Sequence, residues 1–568
     1  MSKSYAVFDA RDAGRPWEGR KRLPLLSVVQ RTLRHKIVVC ATELLMATAA
    51  LVSAPVINAQ TLTPVPKVEP ARATPLPALK VNARLVVLDV VVTDRTGKSV
   101  EGLTTQDFQV FEDGELQHIR SLEPPSGHSL PSASVAADAS IVYDPAQPEN
   151  FGQSPVNILV LDQLNTHFAD SSYARRCLRD YLASQPALLA QPTTLLSVDD
   201  NRFRQLQMLT RNRDSLLHAL AAAPAQYPWT LEVNGKTDHG PIERLDQSLR
   251  ALEEITQSYA RIPGRKNLIW VGGGFPSLDP EALDGDDLQE VKDALRHVTD
   301  VLLDTRVTFY AVDPTSSVPG MAEITDASQM AFVQAAGDSV GTNVDPFNSS
   351  QDFDKLGPVT GGRVVHGMND IARQIASSVD LGSSYYTISY TPSSISEAIA
   401  KYRKISVVCL RAGLTATTRS GYYSGQTEQE KAAATASYDL TTAAEGTMPL
   451  NGIHVTVERD SLPSAPPATY IVRASVANLT WKSRPDGSAT ASVYVMAVSL
   501  NAKGKMLGHT VHAMAASAKP DTDLHDTTRT ADFYFIATPV PKSAALRFIV
   551  RDSVSVRMGS FDLPLAKH

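Results

Sequence analysis

The spacing of apolar residues changes character several times along the chain, and each change marks a boundary. Ala83–Thr93 (ARLVVLDVVVT) is rich in β-branched residues and predicts a strand. Phe108–Glu112 and Leu116–Ile119 flank Asp113-Gly114, the pairing that favours a tight hairpin. From Val156 the pattern turns to alternation of short apolar runs with helical stripes. The runs are Asn157–Leu161, Thr193–Val198, Leu206–Leu209, Asn267–Val271, Val307–Val312 and Tyr385–Tyr390. The stripes predict helices at Ser171–Ser184, Arg213–Ala222, Ile242–Tyr259, Asp286–Leu303, Ala322–Ala335 and Asn369–Val379. Such β–α alternation predicts a mostly parallel, doubly wound α/β sheet with helices on both faces. Ligands of such sheets sit at the carboxyl ends of the strands.

Past Lys401 the helical period fades. Strands are predicted at Ile405–Leu410 and Ala416–Tyr423, followed by a polar joint near 424–448. The remainder reads as β throughout: 452–458, 469–478, 488–500, 506–515, 529–537 and 544–552, with Gly504 turning a hairpin at Asn501–Lys505. Short strands with regular turn signals predict a small sandwich.

Proline-rich joints complete the division. Residues 1–60 read as a signal sequence or membrane anchor, 61–80 as a proline-rich linker and 81–123 as a small β unit. A second linker spans 124–155, the α/β domain with its terminal strands 156–425, a third linker 426–448, and the C-terminal β-sandwich 449–568. In residues 1–36 nine Lys/Arg stand against three acids, and the apolar stretch 37–57 follows. A basic flank, an apolar core and a small-residue exit describe export, with 37–57 as a membrane tether if it is not cut. The expected location is extracytoplasmic, periplasmic or secreted.

Composition narrows the classes. At 568 residues the chain is too long for one domain, and 43% hydrophobic against 20% charged residues excludes a wholly disordered chain. The net charge of −6 offers no electrostatic source for nucleic-acid binding. Three cysteines exclude a disulfide-built scaffold. Cys177 lies on an apolar helical face and Cys409 in a strand pattern, both as small hydrophobes; their pairing stays open.

Several long phrases together carry a family resemblance: VVVTDRTGKSVEGLTTQDFQVFEDGELQHI at 90–119, NILVLDQLNT at 157–166, LEEITQSYARIPGRKNLIWVGGGFP at 252–276, VTFYAVDPTS at 307–316, LGPVTGGRVV at 356–365, DLGSSYYTISYTP at 380–392 and YRKISVVCLRAGLTATTRSGYY at 402–423. The chain from about 80 to 425 resembles the von Willebrand factor type A (VWA)-related domain proteins abundant in Acidobacteria. The resemblance implies a central parallel sheet with one antiparallel edge. It also implies a metal-ion-dependent adhesion site at the strand ends, built on D-x-S-x-S with a later Thr and a second Asp. Here Asp162 fits the first Asp and Thr166 the second hydroxyl, while Leu164 replaces the first Ser. Thr237 is a loose match for the Thr, and Gly272, Gly273 and Gly274 stand where the second Asp is expected. Mg²⁺ wants six oxygens. The expectation is therefore a degenerate site with weak Mg²⁺ at most, or Asp162 simply capping a loop.

Other signals weigh less. Gly337-Asp338-Ser339-Val340-Gly341 matches a nucleophile motif without the strand before it or an assignable His. His509 and His512, three apart on a strand, point to opposite faces. Asp284, Asp286, Asp287 and Glu290 fit a helix N-terminus better than a Ca²⁺ loop. The function expected is a non-enzymatic, protein-binding module whose rim comprises Asp162, Asn165, Thr166, Thr237 and Gly272–Gly274. A metal-free envelope scaffold and a hydrolase using Ser339 are the alternatives.

Overall fold

The computed structural model describes residues 85–130, 151–199, 203–225, 240–276, 278, 285–314, 346–347, 353–366, 370–392, 401–424, 428–462, 466 and 468–565. The targeting segment, Thr237, the Ser339 loop, the helix expected at Ala322–Ala335 and Asp284 lie outside them. Among the described residues no helix is long and apolar enough to cross a membrane.

The first strands are β1 (Val86–Thr93), β2 (Phe108–Glu112), β3 (Glu115–Gln117) and β4 (Ile119–Glu123). Asp113 and Gly114, both at positive φ, make the two-residue turn between β2 and β3. The α/β stretch then runs β5 (Val156–Asp162), α1 (Phe168–Ser184), β6 (Leu188–Val198), β7 (Phe203–Asn212), α2 (Arg213–Ala222), α3 (Gly240–Ser258), β8 (Lys266–Val271), α4 (Gly285–Asp304), β9 (Val307–Asp313), α5 (Leu356–Thr360), β10 (Val364–His366) and α6 (Ile371–Ser383). Its sheet has the order β10-β9-β8-β5-β6-β7. All neighbours are parallel except the edge pair β6/β7.

Successive residues of a strand point to opposite faces, so a strand covered on both sides must be apolar throughout. Ile158 and Val160 of β5, Leu268 and Trp270 of β8 and Phe309 of β9 pack under α3 and α4. Their neighbours Leu159, Leu161, Ile269, Val271, Tyr310 and Val312 pack under α1, α2 and α6. Cys177 belongs to this second core, and Cys409 edges another; both are free thiols.

The next strands are β11 (Tyr386–Tyr390), β12 (Lys401–Cys409), β13 (Thr415–Thr417) and β14 (Gly421–Ser424). The alternation pattern suggests that β11 closes the parallel sheet. Instead it pairs antiparallel with β1 and β4. Strand β12 pairs with β2 and β14. The two resulting four-stranded sheets, β13-β1-β11-β4 and β14-β12-β2-β3, share one core containing Leu88, Val90, Phe108, Ile388, Ile405 and Tyr422. The segment read as a separate unit at 81–123 thus forms one small β-sandwich with residues 386–424. It sits at the amino ends of the parallel strands. Arg306, just before β9, donates to Asp89 of β1 at 2.5 Å, and the Tyr385 hydroxyl donates to Gln153 O, just before β5, at 3.1 Å.

The stretch expected as a polar joint contains α7 (Glu428–Glu445). Its Ala- and Thr-rich composition masks the stripe Leu440, Ala443 and Ala444, which packs on Val498, Leu500 and Ile549. The C-terminal strands are β15 (Val455–Arg459), β16 (Thr469–Ser475), β17 (Lys482–Ser483), β18 (Ala489–Leu500), β19 (Met506–Ala518), β20 (Thr530–Ile536), β21 (Ala545–Asp552) and β22 (Met558–Pro564). They form a three-stranded and a five-stranded sheet whose inner faces share one core. The sandwich is docked on α3, where Gln257 Oε1 accepts from Met558 N at 3.1 Å. His509 and His512 both lie on β19, and the His512 ring packs on Phe535. Asp286 and Asp287 stand in the first turn of α4.

Candidate functional site

With the amino ends of the parallel strands covered by the small sandwich, the carboxyl ends form the opposite rim. Asp162 ends β5, Gly272–Gly274 follow β8, Asp313 ends β9 and His366 ends β10. Asp162 is fully buried. Its Oδ1 accepts from the backbone N–H groups of Leu164 (2.8 Å) and Asn165 (2.9 Å). Its Oδ2 accepts from Trp270 Nε1 at 3.1 Å. Burial drives its carboxyl up to about 6, against the opposing effect of these three donors.

The two neighbouring loops touch backbone to side chain. Gly273 N donates to Thr166 Oγ1 at 2.7 Å, and Asn165 Nδ2 donates to Gly274 O at 2.9 Å. Only glycine permits this approach. A Cβ on Gly272 would stand 2.4 Å from Asp162 Cβ, and one on Gly273 would stand 2.4 Å from Asn165 O. The rim residues Asp162, Asn165, Thr166 and Gly272–Gly274 are therefore brought together as a unit.

The described rim residues do not by themselves assemble a divalent-cation site of the adhesion type. Both Asp162 oxygens accept hydrogen bonds inside the protein, and Thr166 Oγ1 accepts from Gly273. Leu164 supplies no ligand. Asn165 Oδ1, buried and without a hydrogen-bond partner, is a single neutral oxygen. Six hard oxygens do not converge here among the described residues. Asp162 serves instead as the staple of its own loop.

Beside the staple opens a crevice of about 200 Å³ between the glycine loop, β9, β10 and the turn Phe353–Lys355. Its wall is aromatic: Phe275 stacks on Phe353 at 5.0 Å and lies 5.9 Å from Phe309. Its polar side is a trio that the sequence reading missed. His366 Nδ1 is 3.0 Å from Asp313 Oδ2, and His366 Nε2 is 2.7 Å from Asp354 Oδ2. Parallel register places His366 directly beside Asp313. The ending of VTFYAVD, like that of VNILVLD, was the one available signal, because both strands deliver an Asp to the same rim.

Both ring nitrogens of His366 face carboxylates, an arrangement that favours the doubly protonated ring. The hydrogen bonds to Asp313 and Asp354 raise its pKa to about 10, outweighing burial. A histidine with a raised folded pKa contributes stability that is complete below about 6.5 and lost as the pH rises through about 10. In a proton–carbon NMR titration the His366 ring is expected to stay protonated past pH 8. In Asp313→Asn and Asp354→Asn its midpoint is expected to fall toward the ordinary histidine range.

No family model matches the chain, and no curated protein matches it. Among solved structures, the chain is similar to the SpRpn10 VWA domain at 12% identity, covering 34% of this chain and 97% of that one, with a TM-score of 0.16. It is also similar to an endonuclease/exonuclease/phosphatase from Beutenbergia cavernae DSM 12333 at 10% identity, covering 44% and 62%, with a TM-score of 0.09. One weak structural neighbour is thus a VWA domain, and scores of this size carry no argument about function. What stands independently is a mixed α/β protein with a six-stranded, mostly parallel sheet and several antiparallel sheets.

Proposed function

We propose that the chain is a VWA-type, non-enzymatic binding module that docks a protein partner at the carboxyl-end rim. The strand order with its antiparallel edge and the sequence phrases from 90 to 423 support the VWA reading. The basic flank followed by the apolar stretch 37–57 supports export, with the rim working outside the cytoplasm. The observation that carries the binding reading is the placement of His366 between two carboxylates. With both ring nitrogens held by Asp313 and Asp354, the ring has no free nitrogen to serve as a base, and the other crevice residues are Gly, Phe, Ala, Val and Asp. The trio sets two carboxylates and one histidine beside a phenylalanine wall. That combination suits a lysine or arginine side chain, with its charge on Asp313 and Asp354 and its stem against Phe275.

A peptide-display selection against the full chain tests this. Recovered binders are expected to share a basic residue, and Asp354→Ala is expected to weaken them about tenfold, the loss of one interface anchor. Binders without a basic residue, affinity unchanged in Asp354→Ala, or turnover in a hydrolase screen that depends on this crevice would each overturn the reading.

A further inference from the structure

Away from the rim, three helices bring ionisable side chains to one buried point. Glu253 comes from α3, His297 from α4 and Asp439 from α7. One ligand atom from each lies within 4.8 Å of the others. His297 Nε2 is 2.8 Å from Asp439 Oδ1, without the alignment of a hydrogen bond. Glu253 is 1% exposed, and neither carboxylate oxygen has a hydrogen-bond partner.

A buried carboxylate such as that of Glu253, with no donor on either oxygen, is costly unless a proton or a cation joins it. The neighbours of Asp439 leave one of its oxygens for a cation. Asp439 Oδ2 is fully used, accepting from Arg551 Nε at 2.7 Å, Arg551 Nη2 at 2.5 Å and Thr435 Oγ1 at 2.9 Å. That arrangement orients Oδ1 toward His297 and Glu253, as outer partners orient metal-bound carboxylates. We propose that Glu253, His297 and Asp439 bind a divalent transition-metal ion of the zinc class. One imidazole nitrogen and two carboxylate oxygens suit that class, and the nitrogen disfavours Mg²⁺ and Ca²⁺. On binding the ion His297 gives up its proton, so that the two carboxylates balance the ion's charge and Arg551 remains as the outer cation. The site is a clasp: α7 packs on the C-terminal sandwich, while α3 and α4 cover the parallel sheet.

The test uses the full chain, stripped with chelator and refolded with or without Zn²⁺. One equivalent of zinc is expected by elemental analysis after desalting, with an apparent Tm that rises with Zn²⁺ and not with Mg²⁺. Glu253→Gln, nearly isosteric, is expected to lose that equivalent, whereas His366→Ala at the surface trio is expected to keep it. X-ray absorption of the zinc-loaded wild type is expected to show nitrogen and oxygen ligands with a single imidazole. This reading survives a misfolded variant. No retained zinc, zinc retained by Glu253→Gln, or sulfur among the ligands would overturn the proposal, and none of these results bears on the rim.

Discussion

Arg551→Ala is expected to loosen α7 from the C-terminal sandwich and with it the junction to the α/β core. Arg551 is fully buried on β21 and directs two nitrogens at Asp439 Oδ2. Removing the guanidinium leaves the Asp439 carboxylate desolvated beside Glu253. Breaking one partner of a buried pair in this way costs about 3–5 kcal/mol. Burial alone would raise the Asp439 carboxyl, but His297 and Arg551 together hold it below the usual carboxylate range. A depressed folded pKa gives stability that is present above the unfolded value near 3.8 and lost as the pH falls below it. Urea unfolding followed at pH 7 and pH 3 should therefore show a large loss in Arg551→Ala at pH 7 and a smaller one at pH 3. Equal losses at both pH values would show that the arginine acts by packing and not by charge.

The second large effect is expected at Gly272→Ala. The added methyl would meet Asp162 Cβ at 2.4 Å and Thr166 Oγ1 at 2.6 Å, both parts of fully buried residues. Neither neighbour can yield without breaking the hydrogen bonds that staple the β5 loop. Overpacking of this kind costs about 1–3 kcal/mol. The strain falls on the glycine loop that lines the crevice, so peptide binding at the rim should weaken along with the urea midpoint. A variant as stable as wild type would mean that the two loops do not close as described.

Elements with a strong period were legible to within a few residues. Arg213–Ala222 is α2 as read, and Asn157–Leu161 lies inside β5. Partners were less legible, because periodicity reports which face of a strand is buried and not what covers it. Tyr385–Tyr390 reads as a strand, yet its pairing with β1 spans nearly three hundred residues. The helix α7 was missed because alanine and threonine give a weak apolar stripe. The rim was half legible. Asp162, Asn165, Thr166 and the three glycines converge, as the ends of neighbouring parallel strands must. His366 and Asp354 carry no local signal, since an isolated histidine or aspartate looks the same whether solvated or clamped.

Local order along the chain was enough to determine an alternating α/β body, a β-rich tail and a loop cluster after β5 and β8. Those features follow from which side chains avoid water at which spacing. The tertiary structure alone decided that Asp162 is a staple, that His366 is clamped between two carboxylates, and that Glu253, His297, Asp439 and Arg551 share one buried point. Charge state depends on burial and on neighbours brought from distant parts of the chain, and only folding sets both.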